Sequence, residues 1–194
     1  MAMPALRSTR SDWTVEMVRQ LPDDGNCYEV VDGELLVSPA PTPRHQRAAL
    51  LLWKRLDNFF VAHRVGTALS APADVEFSPS RMVQPDVFAL PLINGQIANS
   101  PIPVQGLLLA AEVLSPSTAR AARHTKRKMY LDERVPEYWI VDVEARLIER
   151  WRPGDGRPEI CEDHIEWEVG LGAPAFALDL VGYFDEVWNI FGGS

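Results

Sequence analysis

Two stretches decide the fold: QPDVFAL, Gln84 to Leu90, and LLLAAEVLSPST, Leu107 to Thr118. Leu107 to Leu114 is apolar on both alternating faces, which is the pattern of a central strand covered on both sides. Glu112 interrupts it. A carboxylate in such a run costs several kcal/mol unless it has a cation, a hydrogen-bond network or a raised pKa, roughly the penalty of burying any unpaired charge. Asp86 follows Pro85 and opens a second apolar run. Two costly acids on neighbouring strands suit a hard divalent cation. A plainer arrangement also fits: Asp86 caps a turn and Glu112 pairs with an arginine at the end of the sheet.

Working outward, the elements follow from periodicity and turn chemistry. Thr14 is placed to cap a short helix, TVEMVRQL, ending before Pro22. CYEVV-DG-ELLVS reads as a hairpin turned at Asp32-Gly33. From His45 to His63 apolar residues recur at helical spacing (Ala48, Leu51, Leu52, Leu56, Phe59, Phe60) and predict a long helix. GTALSAPADVEF, QPDVFAL and LLLAAEVL are three strand candidates, with Pro91 to Val104 a loop. A second helix runs from Thr118 to about Arg134, and EYWIVD is a further apolar strand. ARLIERW adds an edge hairpin, and LDLVGYFDEVWNIF a short C-terminal packing helix. The order helix, three strands, helix, strand packs most economically as an α/β sandwich with a mixed sheet.

The 194 residues suffice for one domain with a proper core, taken as residues 13–194 behind a loose tail, residues 1–12. A net charge of −8 disfavours a broad basic nucleic-acid surface and leaves room for a local basic groove. The two cysteines, Cys27 and Cys161, have neither CxxC nor zinc spacing and fit free thiols in a reducing cytoplasm. The first residues show no apolar leader, and no run approaches the roughly 20 apolar residues of a membrane span. Of the six tryptophans, Trp139 belongs to the core, while Trp151 and Trp167 lie in edge-like segments and are candidates to pack together.

In the second helix Ala119, Ala122, Lys126, Met129 and Tyr130 share a stripe. Lys126 stands at the edge of a buried face, where its stem follows the core and its ammonium either reaches the sheet's end or snorkels to solvent. Arg120, Arg123, His124, Arg127 and Lys128 surround it. They form either a solvated face or a strip for a phosphate backbone. His45, at the start of the first long helix, is a helix-end residue or an active-site imidazole.

Taken in order, YEVVDGELLVSPAPTPRHQ, VQPDVFAL, AAEVLSPST, KRKMY and VPEYWIVD resemble the Uma-type putative restriction endonuclease family of the PD-(D/E)XK nuclease superfamily, from about Trp13 to Trp151. The resemblance implies a restriction-endonuclease-like core with an N-terminal β-hairpin and edge strands. It implies a DNA endonuclease using Mg2+ (or Mn2+), the metal bound by Asp86, Glu112 and the Val113 carbonyl. The superfamily's lysine two residues after the acid is missing, since Leu114 stands there; Lys126 matches the lysine supplied from the next helix. Glu29, Glu34 and His45 match recurrent N-terminal positions, with Glu34 the favoured acid. DNA-facing charge falls to Arg120, Arg123, Arg127 and Lys128, and a two-stranded substrate suggests a homodimer. This chain departs from the family at Ala122, where an aspartate is usual, and at Arg134, where glycine is usual. The alternative is a catalytically impaired nucleic-acid- or protein-binding descendant of the fold.

Overall fold

The computed structural model describes residues 12–92, 95–96, 102–103, 106–116 and 118–189. The tail at residues 1–11 and most of the expected loop between Pro91 and Val104 lie outside them. The hairpin forms as its turn demands: Asp32 and Gly33 both take positive φ (52° and 79°), the two-residue turn that matches strand twist. It joins β1 (Cys27–Val31) to β2 (Glu34–Ser38), preceded by α1 (Val15–Val18), whose Met17 amide donates to Thr14 Oγ1. The long helix α2 (Pro43–His63) starts with Pro43 in its first turn and Thr42 Oγ1 accepting from the His45 amide. It buries Ala48, Leu52, Leu56 and Phe60, one residue per turn.

GTALSAPADVEF is two strands, not one. β3 (Thr67–Ser70) and β4 (Val75–Ser78) belong to different sheets. The break falls at Pro72, which has no amide for a ladder. β5 (Arg81–Val83), unread from sequence because it spans three residues, pairs with both β1 and β4. A five-stranded sheet results, in the order β2-β1-β5-β4-β7, with β7 at Ile102–Pro103.

The central sheet has six strands, ordered β11-β10-β9-β8-β6-β3. It contains β6 (Val87–Leu90), β8 (Leu109–Val113), β9 (Glu137–Asp142), β10 (Leu147–Trp151) and β11 (Glu159–Cys161). Only the pair β8–β9 is parallel. Alternation divides its side chains between two cores. Val87, Ala89, Leu109, Ala111, Trp139 and Val141 pack with α2. Phe88, Leu90, Ala110, Tyr138 and Ile140 pack with Met129 and Tyr130 of the second long helical segment and with the five-stranded sheet. That segment comprises a π-helical turn, Ala121–Lys126, running into α3 (Arg127–Asp132). Order and layers give the expected mixed α/β core: α2, then β3, β6 and β8, then α3, then β9.

β12 (His164–Trp167) and β13 (Phe176–Asp179) pair antiparallel, and α4 (Leu180–Trp188) follows, packing on α2. Tyr183 of α4 donates to the Ala48 carbonyl at 2.9 Å. Trp151 and Trp167 do not meet. Trp167 packs on Trp139 and Phe60 in the α2 core, whereas Trp151 lies in the other core beneath the Arg127 guanidinium, because Ile148 and Trp151 of β10 face opposite ways. Arg81 bridges Asp32 of the hairpin turn and Glu133 at the end of α3, tying the five-stranded sheet to that helix. No described helix is long and apolar enough to cross a membrane.

Candidate active site

Alternation along β8 sends Glu112 to the α3 side, where an apolar neighbour would be expected. The π turn supplies Lys126 instead. Its Nζ lies 2.9 and 3.0 Å from the two Glu112 carboxylate oxygens, and both residues are buried. Glu29 comes from β1 of the other sheet and places Oε1 2.7 Å from the same Nζ. That oxygen also accepts from the Gln84 amide at 2.7 Å. The Tyr130 hydroxyl donates to Glu112 Oε1 at 3.2 Å. A buried ammonium thus meets two carboxylates, each held by a further donor.

Asp86 stands at the mouth of the sheet. Pairing of Val87 with Ala111, continued by one residue, brings Asp86 beside Glu112. Its Oδ2 accepts from the Val113 amide at 2.8 Å and lies 3.2 Å from His45 Nε2. His45 therefore reaches from the first turn of α2 across the strand end, and its Nδ1 is buried with no hydrogen-bond partner among the described residues.

The charges respond to this crowding. Burial pushes the Glu112 carboxyl up to about 8, while the Lys126 ammonium pulls it down and the Glu29 charge raises it again. Burial alone would lower Lys126, but Glu112 and Glu29 outweigh it and keep the amine charged well above its ordinary range. Burial likewise opposes the charge on His45, yet the hydrogen bond and negative charge of Asp86 raise its pKa overall.

The sequence-derived candidates separate clearly. Asp86, Glu112, Lys126, His45 and the Val113 backbone come together at one end of the central sheet. The acid delivered to Lys126 is Glu29, where sequence reading favoured Glu34; Glu34 opens β2 opposite Val31, beside the hairpin turn. The signal was available: Glu29 sits inside the apolar strand CYEVV, the argument that singled out Glu112. The basic strip is largely engaged within the protein. Arg123 binds Asp142 and Glu149, Arg127 covers Trp151, and Lys128 pairs with Asp132, while Arg120 is exposed. Ala122 is buried, and Lys126 is oriented by Glu29 and Glu112 in place of an acid at that position. Arg134 takes positive φ (57°) where the family's glycine would sit without strain.

Asp86, Glu112 and the Val113 carbonyl are hard oxygen donors, so the donor chemistry fits Mg2+. As the side chains stand, both Glu112 oxygens are bonded to Lys126, and among the described residues no three His, Cys, Asp or Glu side chains gather around one point.

The Uma2 family, described as "Putative restriction endonuclease", matches residues 15–180. The chain belongs to that family. Its structure is similar to the crystal structure of a putative nuclease belonging to DUF820 from Anabaena variabilis ATCC 29413. The TM-score is 0.72 at 17% identity, covering 90% of this chain and 99% of that one. At that identity the likeness establishes a shared nuclease-like fold. No curated protein matches the chain. The Uma2 chain described here therefore pairs a family's motifs with a buried lysine held between two acids.

Proposed function

We propose that this Uma2 protein is a divalent-metal-dependent endonuclease hydrolysing phosphodiester bonds in DNA. The observation that carries the reading is the Glu29–Lys126–Glu112 cluster set next to Asp86. A structural protein has little use for three acids and a lysine at a strand end, because apolar packing there is as stable or more so. Asp86, Glu112 and the Val113 carbonyl would hold Mg2+ or Mn2+. The bound ion would supply charge neutralisation at the scissile phosphate and a water of lowered pKa.

The remaining steps belong to the chain. As a metal ligand Glu112 would give up bonds to Lys126, and Glu29 would keep the ammonium in place. Lys126 then directs its positive charge at the attacking oxygen and at the phosphate oxygens as negative charge develops. His45 meets the same Asp86 oxygen that accepts from the Val113 amide and holds a proton at Nε2. Arg120 and its neighbours on the second long helical segment would meet the flanking phosphates. A homodimer would offer one site to each strand. Two unpaired thiols suit the cytoplasm.

A second reading is a binding descendant of the fold. It is favoured by the internal pairing of Arg123 and Lys128 and by the alanine at 122. Incubation of supercoiled, linear and single-stranded DNA with Mg2+ or Mn2+ separates the two. Cleavage by wild type and none by Lys126→Ala supports the nuclease. Metal-independent retention of DNA without cleavage supports the binding protein.

A further inference from the structure

Tyr138 lies outside the cluster and touches two of its supports, the Ala122 carbonyl of the π turn and the Tyr130 ring. It is fully buried on β9, on the α3 face of the central sheet. Its hydroxyl donates to the Ala122 carbonyl at 3.0 Å. That carbonyl belongs to the π turn and also accepts the Arg127 amide, five residues on. A π turn is a costly, locally wide piece of helix and persists where something outside the helix sustains it. One such group here is the Tyr138 phenol, beside the ion pairs that Arg123 and Lys126 make from the same turn, and the turn ends at Lys126. The Tyr138 ring meanwhile stacks on Tyr130 with centroids 4.6 Å apart, and Tyr130 donates to Glu112.

We infer that Tyr138 is a positioning residue for the Lys126–Glu112 pair: its hydroxyl sets the π turn carrying Lys126, and its ring sets the Tyr130 hydroxyl that holds Glu112. It reaches neither substrate nor metal. Its effect is geometric, since a displacement near 1 Å at a charged group costs about 100-fold in rate. The inference rests on the nuclease reading only for its activity measurement.

The chain carries a built-in control. Tyr183 is equally buried and donates to the carbonyl of Ala48 in α2, on the far side of the central sheet. Tyr138→Phe and Tyr183→Phe each remove one buried hydroxyl and keep the ring, so a merely structural role predicts equal effects. The measurement that needs no activity is acetylation of the three lysines, Lys54, Lys126 and Lys128, read by mass spectrometry on folded protein. In wild type the buried Lys126 labels far more slowly than the exposed Lys128. Tyr138→Phe raises Lys126 labelling by about threefold or more, as expected when a held group opens locally, and Tyr183→Phe leaves it unchanged. In the cleavage assay Tyr138→Phe lowers kcat by about tenfold at unchanged KM, and Tyr183→Phe does not. Equal Lys126 labelling in the two variants overturns the inference, whatever the cleavage result. If wild type fails to cleave DNA, the nuclease reading falls, while the labelling contrast still decides the role of Tyr138.

Discussion

Lys126 Nζ lies 2.7 Å from Glu29 Oε1, closer than it lies to either oxygen of Glu112. Glu29 belongs to β1 of the five-stranded sheet and Lys126 to the π turn, and their contact gives the lysine a second anchor besides Glu112. If Glu29 is what holds the ammonium during catalysis, Glu29→Gln lowers kcat by about 100-fold, whereas Glu34→Gln stays within about threefold of wild type. Equal losses in the two variants would return the role to Glu34.

Removing the lysine has a cost beyond activity. Lys126→Ala leaves the buried acids Glu29 and Glu112 without their cation, and breaking such a cluster destabilises by about 3–5 kcal/mol. A surface lysine would cost roughly 0.5 kcal/mol or less. Urea unfolding of wild type and variant at neutral pH distinguishes the two outcomes.

The raised carboxyl of Glu112 sets a pH dependence. Its folded value of about 8 exceeds the ordinary 4.5, so the native state binds the proton more tightly than the unfolded chain does. Stability from this group is therefore fully present below about 4.5 and is lost as pH rises through about 8. Glu112→Gln carries no titrating proton there, and its unfolding free energy should fall less between pH 5 and pH 8.5 than that of wild type. A steeper fall in the variant would contradict the assignment.

Metal response should depend on Asp86. Its carboxylate is partly exposed and, unlike Glu112, makes no bond to Lys126. Asp86→Asn should abolish calorimetric Mn2+ binding and cleavage together, and chelation of the metal by EDTA should silence wild type reversibly. Undiminished Mn2+ binding by the variant would remove Asp86 from the ligand set.

The end of α3 offers a stability gain. Glu133 closes the helix, Arg134 takes φ of 57°, and the Val135 and Arg134 amides return to the Tyr130 and Leu131 carbonyls. This is the glycine position of a Schellman motif. Arg134→Gly should stabilise by about 0.5–1 kcal/mol, seen as a higher urea midpoint at unchanged slope.

What the sequence made legible was local. The hairpin was announced by Asp32-Gly33, α2 by its repeat from Ala48 to Phe60, and β6 and β8 by apolar runs too dense for a surface. Asp86, Glu112 and Lys126 could be named because each is a charge in the wrong surroundings. What escaped depends on partners far along the chain. β3 and β4 read as one strand because nothing in their residues reveals that they join different sheets. The choice between Glu29 and Glu34 turned on which part of β1–β2 faces α3, a matter settled by the docking of the five-stranded sheet. Tyr138 gave no signal at all, since a tyrosine in an apolar strand looks like core until its hydroxyl is seen to meet a helix carbonyl.

The Arg81 bridge from Asp32 to Glu133 has an evolutionary side. The hairpin lies outside the helix, three strands, helix, strand core, and at first sight it is an appendage that could be shed or exchanged. Yet it carries Glu29 and is clamped to the same helix that carries Lys126. A relative that lost the hairpin would lose one wall of the cluster along with the clamp. It would have to recruit another acid to keep its lysine charged and aimed, so hairpin and lysine are expected to be inherited or discarded as a unit.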